Sequence, residues 1–453
     1  MKTRLLSFIF FSTCFPLLLQ AQDQPPLTDP SIQKMVNEIS PVNLKATIEK
    51  LVGFETRHSL SSTTDQRKGI GAARYWIESE LKKYASFSDG RLTVKQDTFS
   101  VFPDGKRVDR PVLMANVMAT LKGTDPTDNR ILIISGHLDS RNSDVMDSIK
   151  AAPGANDDAA GVAIVMEMAR ILSKKEFPCT IIFVAVQGEE QGLLGSKHLS
   201  KKAKKENWNV YAMITNDISG NSYSSETGLY DNTRLRVFSE GVPITETKEE
   251  ERFRKETFSE NDGKARQWAR YIKEQGERYT DQMEVVMIYR NDRFLRGGDH
   301  IPFSQEGFTA VRITEMNENY EQQHQDVRID QAIQYGDLEK YIDYEYLRKN
   351  TAVNLAAVAN LASSPPPPDN VRILTSKLTN KSTLLWEPAQ KGKKPAGYYV
   401  LMRATTEAVW TKKFFTSEKE ITLPYSKDNY LFAVQAADEK GHTCLPVIPK
   451  PVK

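Results

Sequence analysis

Residues 131–140 read Ile-Leu-Ile-Ile-Ser-Gly-His-Leu-Asp-Ser, an apolar run that ends in a histidine and an aspartate. Residues 131–135 lack the polar alternation of a half-exposed strand and have the pattern of a strand that is buried on both faces of a sheet. His137 and Asp139 follow where such a strand would end. Ionisable side chains are costly at that place unless they are paired or bound to a ligand. The segment therefore indicates a functional site at the edge of a buried sheet.

The same arrangement recurs along the next eighty or so residues. Segments 180–186 and 210–215 are also typical of buried strands, and acidic residues follow each of them. Segments 159–172 and 192–202, which lie between the three strands, show helical spacing. Asp157 or Asp158 is placed to cap the first of these helices. Strands that alternate with helices favour an α/β fold with a largely parallel sheet.

Parallel strands point the same way, so the side chains that follow them converge at one edge of the sheet. The candidates are His137, Asp157, Glu190 and Asp217, together with His324 on a polar loop far downstream. Each of these residues alone could have a purely structural role, as a loop histidine, a helix cap or part of a solvated turn. Their order and placement together favour a metal site, because histidine nitrogens and carboxylate oxygens are typical zinc ligands. This is the ligand inventory of a two-metal hydrolytic site.

Two acidic residues beside the candidate ligands are the predicted catalytic residues. Glu189 directly precedes Glu190, and a carboxylate that is not used for the metal can take a proton from an activated water and return it to the leaving amine. Asp139, two residues after His137, is placed to accept the N–H of the imidazole ring and fix its tautomer. We therefore predict Glu189 as the general base and Asp139 as the partner of His137.

Four motifs, in this order, resemble the secreted zinc aminopeptidase family. They are Gly136-His137-Leu138-Asp139-Ser140, Pro153-Gly154-Ala155-Asn156-Asp157-Asp158-Ala159-Ala160-Gly161, Gly188-Glu189-Glu190-Gln191-Gly192-Leu193-Leu194-Gly195-Ser196 and Thr215-Asn216-Asp217. Relatives of this family include glutamate carboxypeptidase II, the lysosomal dipeptidase-like carboxypeptidases and the glutaminyl cyclases. The resemblance spans residues 40–362 and implies a mixed, mostly parallel central sheet flanked by helices.

The resemblance also implies how two zinc ions would be held. Asp157 would bridge them, and the peptide bond between Asp157 and Asp158 would be cis, which is rare and costly outside proline. The two ligand sets would be His137, Asp157 and Asp217 for one zinc, and Asp157, Glu190 and His324 for the other.

The last ligand has a rival. Tyr320 and Asp326 bracket His324 in a loose match to the family's last ligand, which favours His324. His300 is the alternative, but the segment around it resembles a loop that supports the site. We therefore predict His324 as the ligand.

The function that follows from the resemblance is that of an exported two-zinc exopeptidase. The leading prediction is an aminopeptidase that removes N-terminal residues from peptides through a metal-bound hydroxide, with Glu189 as the general base. A carboxypeptidase or dipeptidase of the same fold is the main alternative. A glutaminyl cyclase is less favoured, because those relatives use one zinc and both His137 and Asp217 are present here. A non-catalytic receptor or adhesion protein is the alternative outside the enzymes, and it predicts no bound metal.

The composition of the chain limits its domain organisation and the classes of function that remain possible. The 453 residues, 39% of them apolar and 26% charged, are enough for a large core and predict two folded units. The net charge is +2, and acidic and basic residues are interleaved, so the sequence does not indicate a basic surface that binds nucleic acid. Cys14 lies in the leader, and a disulfide between Cys179 and Cys444 is not expected.

The first 21 residues have the features of a secretory signal peptide. Lys2 and Arg4 precede the apolar run 5–19, and the small residue Ala21 marks its exit. The run is short for a membrane span, which needs about 20 residues, and no later segment is long enough. We therefore expect cleavage near Ala21 and export to the periplasm or the medium, without a transmembrane segment in the mature protein.

A run of four prolines lies in the segment 363–369, which is the predicted linker between two domains. The catalytic domain is predicted to span 22–362, with 221–295 either a cap over the site or an exposed helical pair.

The short alternating segments of 370–453 predict a small all-β sandwich, and Trp386 and Tyr399 lie in segments that resemble fibronectin type III strands. No sequence feature identifies a partner of this domain. A chain truncated after Ala362 should keep the site unless the domains pack together.

Overall fold

The computed structural model describes residues 25–453, so the predicted signal peptide, 1–21, lies outside the described residues. The larger part of the chain forms one eight-stranded sheet with apolar cores on both faces. The helices are α1 (Pro30–Asn37), α2 (Pro41–Val52), α3 (Gly69–Ala85), α4 (Ala160–Leu172), α5 (Leu194–Lys205), α6 (Lys248–Thr257), α7 (Lys264–Tyr279), α8 (His300–Gln305) and α9 (Tyr344–Ser363). The strands of this part, two short hairpins included, are β1 (Leu92–Val101), β2 (Val112–Leu121), β3 (Arg130–His137), β4 (Thr180–Val186), β5 (Asn209–Asn216), β6 (Tyr223–Ser224), β7 (Leu229–Tyr230), β8 (Arg234–Ser239), β9 (Glu284–Ile288), β10 (Ala310–Glu315), β11 (Arg328–Asp330) and β12 (Ile333–Tyr335).

The central sheet has the strand order β1-β2-β4-β3-β5-β10-β8-β9. The four middle strands, β4, β3, β5 and β10, are parallel neighbours. β2 runs antiparallel to β4, and β8 runs antiparallel to β10, so the sheet is mixed towards both edges. The predicted mixed, mostly parallel sheet with flanking helices is confirmed. The parallel middle strands place all their carboxyl ends at one edge.

Two glycines let β3 and α4 approach closely enough to bring their loops together. A Cβ on Gly136 would lie 2.5 Å from the main-chain carbon of Gly161, and a Cβ on Gly161 would lie 2.4 Å from the carboxylate of Asp158. Side chains at these positions would therefore separate the strand from the helix. α4 itself is buried at every residue except Arg170, because it lies between the sheet and the outer helices α2 and α9.

Neither interpretation of residues 221–295, a cap over the site or an exposed helical pair, describes the whole segment. β8 and β9 extend the central sheet at one edge, and α7 packs into the main core through Trp268 and Ile272. Only α6, which has no buried residue, is an exposed helix. The apolar pattern of 285–288 predicts the strand β9, whereas β8, which precedes the strongly charged α6, was not found from the sequence.

The C-terminal residues form two small sheets. Their strands are β13 (Asp369–Leu374), β14 (Ser382–Glu387), β15 (Gly397–Ala404), β16 (Lys412–Thr416), β17 (Glu420–Leu423), β18 (Tyr430–Ala437) and β19 (Lys450–Val452). The strand orders are β17-β14-β13-β19 and β16-β15-β18. The predicted all-β C-terminal part is confirmed, whereas its assignment to the fibronectin type III class and its boundaries stay predictions. Cys179 and Cys444 are both free and buried.

The sheet that contains β15 is buried on both faces. Trp386 and Tyr398 belong to the core between the two small sheets. Tyr399 and Leu401 lie in a separate apolar cluster on the opposite face, with Trp410 packed against them. The sequence predicts both Trp386 and Tyr399 as core residues of the sandwich. Tyr399 lies outside that core, because neighbouring side chains in a strand point to opposite faces.

Polar contacts fix this second face to the larger part of the chain. The Arg403 guanidinium donates to both carboxylate oxygens of Asp262, which precedes α7, at 2.8 and 2.9 Å. The Tyr271 hydroxyl of α7 donates to the main-chain oxygen of Thr443 at 2.7 Å. Leu445 belongs to the main apolar core. The domains therefore pack together. A chain that ends at residue 362 would lose these contacts and the core residue Leu445, and it is expected to be poorly soluble.

Breaking the contact between Arg403 and Asp262 is expected to destabilise the whole chain. Arg403→Ala removes two hydrogen bonds from a buried charged pair, and removal of one partner of such a pair typically costs about 3–5 kcal/mol. Arg270 remains 3.1 Å from Asp262, so the lower end of this range is expected. The measurement is the change in Tm. The control is Arg372→Ala, which removes an exposed contact with Glu387 at 3.9 Å and should cost less than about 1 kcal/mol. Equal Tm values for the two variants would contradict this prediction.

Among residues 25–453, no helix combines the length and the apolar character that crossing a membrane requires.

Candidate metal centre

The candidate ligands lie at the carboxyl edge of the parallel strands. His137 is the last residue of β3, Asp217 directly follows β5, and Glu190 lies in the loop after β4. Asp157 lies in the π-helical turn Ala155–Ala159 that leads into α4. His324 comes from the loop between β10 and β11 and has a left-handed φ of 57°. The common direction of the strands thus assembles residues that are far apart in the chain.

The five side chains form two groups of three that share Asp157. The ligand atoms of each group lie within 4.8 Å of one another, and the groups are His137, Asp157 and Asp217, and Asp157, Glu190 and His324. Asp157 Oδ1 is 3.0 Å from His137 Nε2, and Asp157 Oδ2 is 3.0 Å from His324 Nε2. Asp157 therefore turns one oxygen towards each group, which is the arrangement that a bridging carboxylate needs.

The chemistry of these side chains fits zinc. The His137 ring is 1% exposed, and its Nε2 makes no well-directed hydrogen bond among residues 25–453, although Asp157 Oδ1 is 3.0 Å and Asp217 Oδ1 is 3.7 Å away. A buried nitrogen that faces two carboxylates in this way suits a metal between them, because nitrogen and carboxylate oxygen are zinc donors. Burial alone would lower the pKa of His324, but the charges of Glu190 and Asp157 raise its pKa to about 10. The site therefore stabilises positive charge between its carboxylates.

Asp337 holds the turn that carries Asp157. Its carboxylate accepts the main-chain N–H of Asn156, at 2.9 Å to each oxygen, and that of Asp157 at 2.7 Å. Burial raises the pKa of Asp337 to about 7, although these two N–H groups oppose the change. The Asp157–Asp158 peptide bond is cis, as the family resemblance implied. Asp158 accepts from the main chain of Gly161 at 2.9 Å, which gives it the expected capping role at the start of α4.

Arg57 joins the turn of Asp157 to the loop of Asp139. The guanidinium is fully enclosed and donates only to main-chain oxygens, those of Leu138 at 2.8 Å, Pro153 at 2.5 Å, Gly154 at 2.8 Å and Leu51 at 3.2 Å. Burial lowers the pKa of Arg57 to about 10, while the nearby carboxylates oppose the change. Arg57 thus fixes the distance between the two loops that carry the candidate ligands.

The structure gives Asp139 a contact that differs from the predicted one. Asp139 Oδ1 lies 3.9 Å from His137 Nδ1, and this ring nitrogen instead faces the main-chain oxygen of Asp139 at 3.0 Å. The Asp139 carboxylate accepts the main-chain N–H groups of Gly188, Glu189 and Glu190 at 2.9, 3.3 and 3.1 Å. Asp139 therefore positions the loop that presents both glutamates.

Glu189 and Glu190 differ in what their carboxylates contact. Glu190 Oε1 is 3.0 Å from His324 Nε2, and Glu190 Oε2 is 3.1 Å from Arg141 Nε, so both oxygens are engaged. The Glu189 side chain is half-buried, and its carboxylate has no hydrogen-bond partner among residues 25–453. Burial and the charges of Asp217 and Glu190 raise the pKa of Glu189 well above its usual range. A free carboxylate beside the candidate ligands is what the predicted general base requires.

The two late histidines occupy different places. His324 Nε2 lies 3.0 Å from both Asp157 and Glu190. The His300 ring is fully buried, and its Nε2 lies 2.7 Å from the main-chain oxygen of Asn291 and 3.5 Å from Asp292. His300 belongs to neither group of candidate ligands. Its ring supports the loop beside the site.

Replacing His324 by alanine is expected to lower the bound zinc by about one equivalent per chain, because the second group would keep only two ligands. His300→Ala, which removes a buried imidazole of the same size from the neighbouring loop, is the matched control and should keep the full metal content. Metal analysis of the dialysed proteins measures both. A loss of metal in the His300 variant with none in the His324 variant would show that the wrong histidine is assigned.

Four further residues shape the site and were not found from the sequence. They are Arg57, Asp337, Arg141, whose Nη2 lies 2.8 Å from His324 Nδ1, and Arg312, which lies 2.8 Å from Asp217. Only Arg312 leaves a signal in the sequence, a cation inside the apolar segment 310–313.

Comparisons with known proteins identify relatives of this chain. A family model described as Peptidase family M28 matches residues 116–356. The chain is 43% identical over 427 residues to a probable zinc metalloprotease of Leptosphaeria maculans, covering 94% of this chain and 98% of the relative. It is 42% identical over 431 residues to a probable zinc metalloprotease of Pyricularia oryzae, covering 94% and 85%.

Two solved structures share the fold. The LapA aminopeptidase of Legionella pneumophila superposes with a TM-score of 0.51 at 21% identity, covering 76% of this chain and 78% of that one. An aminopeptidase from Aneurinibacillus sp. strain AM-1 superposes with a TM-score of 0.50 at 16% identity, covering 73% and 96%. At these identities the likeness concerns the arrangement of the chain.

Proposed function

The chain belongs to peptidase family M28, and from this premise we propose that it is an exported two-zinc exopeptidase, an aminopeptidase that removes N-terminal residues from peptides. The observation that carries the proposal is the pair of ligand groups that share Asp157. Two ions bridged by one carboxylate would lie side by side, which suits hydrolysis at a single carbonyl. The relatives named as zinc metalloproteases support zinc as the metal.

In this proposal His137, Asp157 and Asp217 would hold one zinc, and Asp157, Glu190 and His324 would hold the other. When bound, zinc supplies Lewis acidity to the scissile carbonyl and to the attacking water. Glu189 accepts a proton from that water and returns it to the leaving amine, which breaks the C–N bond. Asp139 holds the main chain of Glu189 and Glu190, so that the base and the ligand keep their separate positions.

The choice of an aminopeptidase rests on the four motifs and on the charge of the site. Glu189 and the buried Asp299 are acidic groups beyond the candidate ligands, and the charge of Asp299 adds to the negative potential at Glu189. Such surroundings favour a free α-ammonium group over a C-terminal carboxylate.

The experiment that tests the function combines metal analysis with a panel of peptides. We expect two zinc ions per chain, cleavage of peptides with a free N-terminus whether or not the C-terminus is amidated, and no cleavage of N-acetylated peptides. Cleavage of N-acetylated peptides with a free C-terminus would indicate a carboxypeptidase instead. Cyclisation of an N-terminal glutamine without hydrolysis would indicate a glutaminyl cyclase, and the absence of metal would indicate a binding protein.

Export is proposed from the sequence of residues 1–21. N-terminal sequencing of the mature protein, recovered from the periplasm or the medium, should begin close to Gln22. Recovery of the uncleaved chain only from the cytoplasm would contradict this proposal.

A further inference from the structure

Arg312 is a cation in the middle of the apolar strand β10. Its neighbours Val311 and Ile313 belong to the main core, and Arg312 itself is 0% exposed. A buried arginine is costly unless its charge and its N–H groups are matched. Its contacts therefore indicate why a cation is kept at this position.

Arg312 contacts both the side chain and the main chain of Asp217. Its Nη1 lies 2.8 Å from Asp217 Oδ2, and its Nη2 donates to the main-chain oxygen of Asp217 at 3.3 Å. Nη1 also donates to the main-chain oxygen of Gly297 at 3.1 Å. The other carboxylate oxygen, Asp217 Oδ1, is 3.7 Å from His137 Nε2. One oxygen of Asp217 is thus held by Arg312, and the other points into the first group of candidate ligands.

The second carboxylate near Arg312 is farther away. Asp292 Oδ2 is 3.7 Å from Arg312 Nη1, whereas Asp292 Oδ1 is 3.1 Å from Arg293 Nε. Asp292 therefore forms its ion pair chiefly with Arg293, and the charge of Arg312 is compensated chiefly by Asp217.

Gly298 provides the space that Arg312 occupies. A Cβ on Gly298 would lie 2.7 Å from Arg312 Nη1 and 3.2 Å from Asp292 Oδ2. A side chain at position 298 would therefore displace the guanidinium from its present position. A Cβ on the adjacent Gly297 would instead meet the end of the flexible Ile301 side chain at 3.2 Å.

We propose that Arg312 is a positioning residue of the metal centre, which restricts Asp217 to ligation through one oxygen beside His137, and that Gly298 is required to admit it. This inference rests on the proposed two-zinc function. A planar guanidinium presents its N–H groups in a fixed geometry to the side chain and the main chain of Asp217, whereas an ammonium group is a compact charge on a flexible stem and fixes them less firmly. Because Asp217 belongs to the first ligand group only, the loss of Arg312 should weaken one zinc and spare the other.

The test measures the two stepwise zinc affinities of the metal-free protein by competition with a chelator, together with the Tm of the metal-free protein. The variants are Arg312→Gln, Arg312→Lys, Gly298→Ala, the double variant of Arg312→Gln with Gly298→Ala, and Gly297→Ala as the matched control. Changes in groups that orient metal ligands typically lower affinity by about 10–100-fold. We expect a loss of this size for one zinc in Gly298→Ala and Arg312→Gln, a smaller loss in Arg312→Lys, and none in Gly297→Ala.

The double variant should bind that zinc no more weakly than Arg312→Gln alone, because both substitutions remove the same contact. The affinity for the second zinc should stay at the wild-type value in Gly298→Ala, whereas a merely structural role would change it. The Tm of metal-free Gly298→Ala is expected to fall, because the displaced guanidinium is buried. If Arg312→Gln does not fold, the zinc affinities of Gly298→Ala and Arg312→Lys test the proposal.

Wild-type affinities in Gly298→Ala, equal losses of both zinc ions, or multiplied losses in the double variant would overturn the inference. A wild-type protein that binds no zinc would overturn the proposed function itself, so the two failures can be told apart.

Discussion

Replacing Glu189 by glutamine is expected to lower kcat by about 10²–10⁴-fold, the usual contribution of a group that transfers protons, while both zinc ions stay bound. The amide has nearly the same size as the carboxylate, so the loop and its hydrogen bonds to Asp139 should be retained. It cannot accept a proton from water. KM should change little, because the lost interaction acts in the chemical step.

The adjacent glutamate gives the matched control for this prediction. Glu190→Gln makes the same chemical change one residue away, at a carboxylate that contacts His324 and Arg141. It is expected to lower the zinc content as well as the rate. The two variants therefore separate proton transfer from metal binding. Full activity of Glu189→Gln, or a loss of zinc in that variant, would refute the assignment of Glu189 as the general base.

Asp157→Asn is expected to abolish binding of both zinc ions and to lower activity by at least the roughly 10⁴-fold upper limit of an acid–base group. The reason lies in its two oxygens, which face His137 Nε2 and His324 Nε2 at 3.0 Å each. An asparagine offers one neutral oxygen, and its NH₂ group would point at the other ligand group. No other candidate ligand belongs to both groups.

Metal analysis distinguishes this shared role from that of an ordinary ligand. His324→Ala should leave about one zinc per chain, whereas Asp157→Asn should leave none after dialysis. Circular dichroism would verify that the variant is folded, since its main-chain contact with Asp337 does not depend on its side chain. A folded Asp157→Asn protein that still holds one tightly bound zinc would show that Asp157 does not bridge the two groups.

Local sequence patterns were sufficient for the α/β fold. The segments 159–172 and 180–186 correspond to α4 and β4, because continuous apolar runs are specified by neighbouring residues alone. The same reasoning brought the candidate ligands to one edge, since parallel strands end together. It failed for part of residues 221–295. The pattern of 285–288 predicts the strand β9, but β8, which precedes the charged α6, was not found from the sequence.

The packing of the C-terminal sheets against the larger part of the chain could not be predicted from the sequence either. The four prolines at 365–368 indicate a separation between units, yet Arg403 and Asp262 form a buried contact across it. Alternation along β15 predicts two faces but not which partner covers each of them. The identity of that partner depends on how α7 is oriented in the fold.

The sequence by itself determined which residue types stand at the ends of buried strands, and therefore which side chains could bind metal. Only the tertiary structure decided what holds them. Arg57 and Asp337 act on main-chain oxygens and N–H groups, and Arg312 reaches Asp217 across adjacent strands. Main-chain groups are alike at every residue, so no pattern in the sequence can specify which of them a distant side chain will meet until the fold has fixed the distance between them.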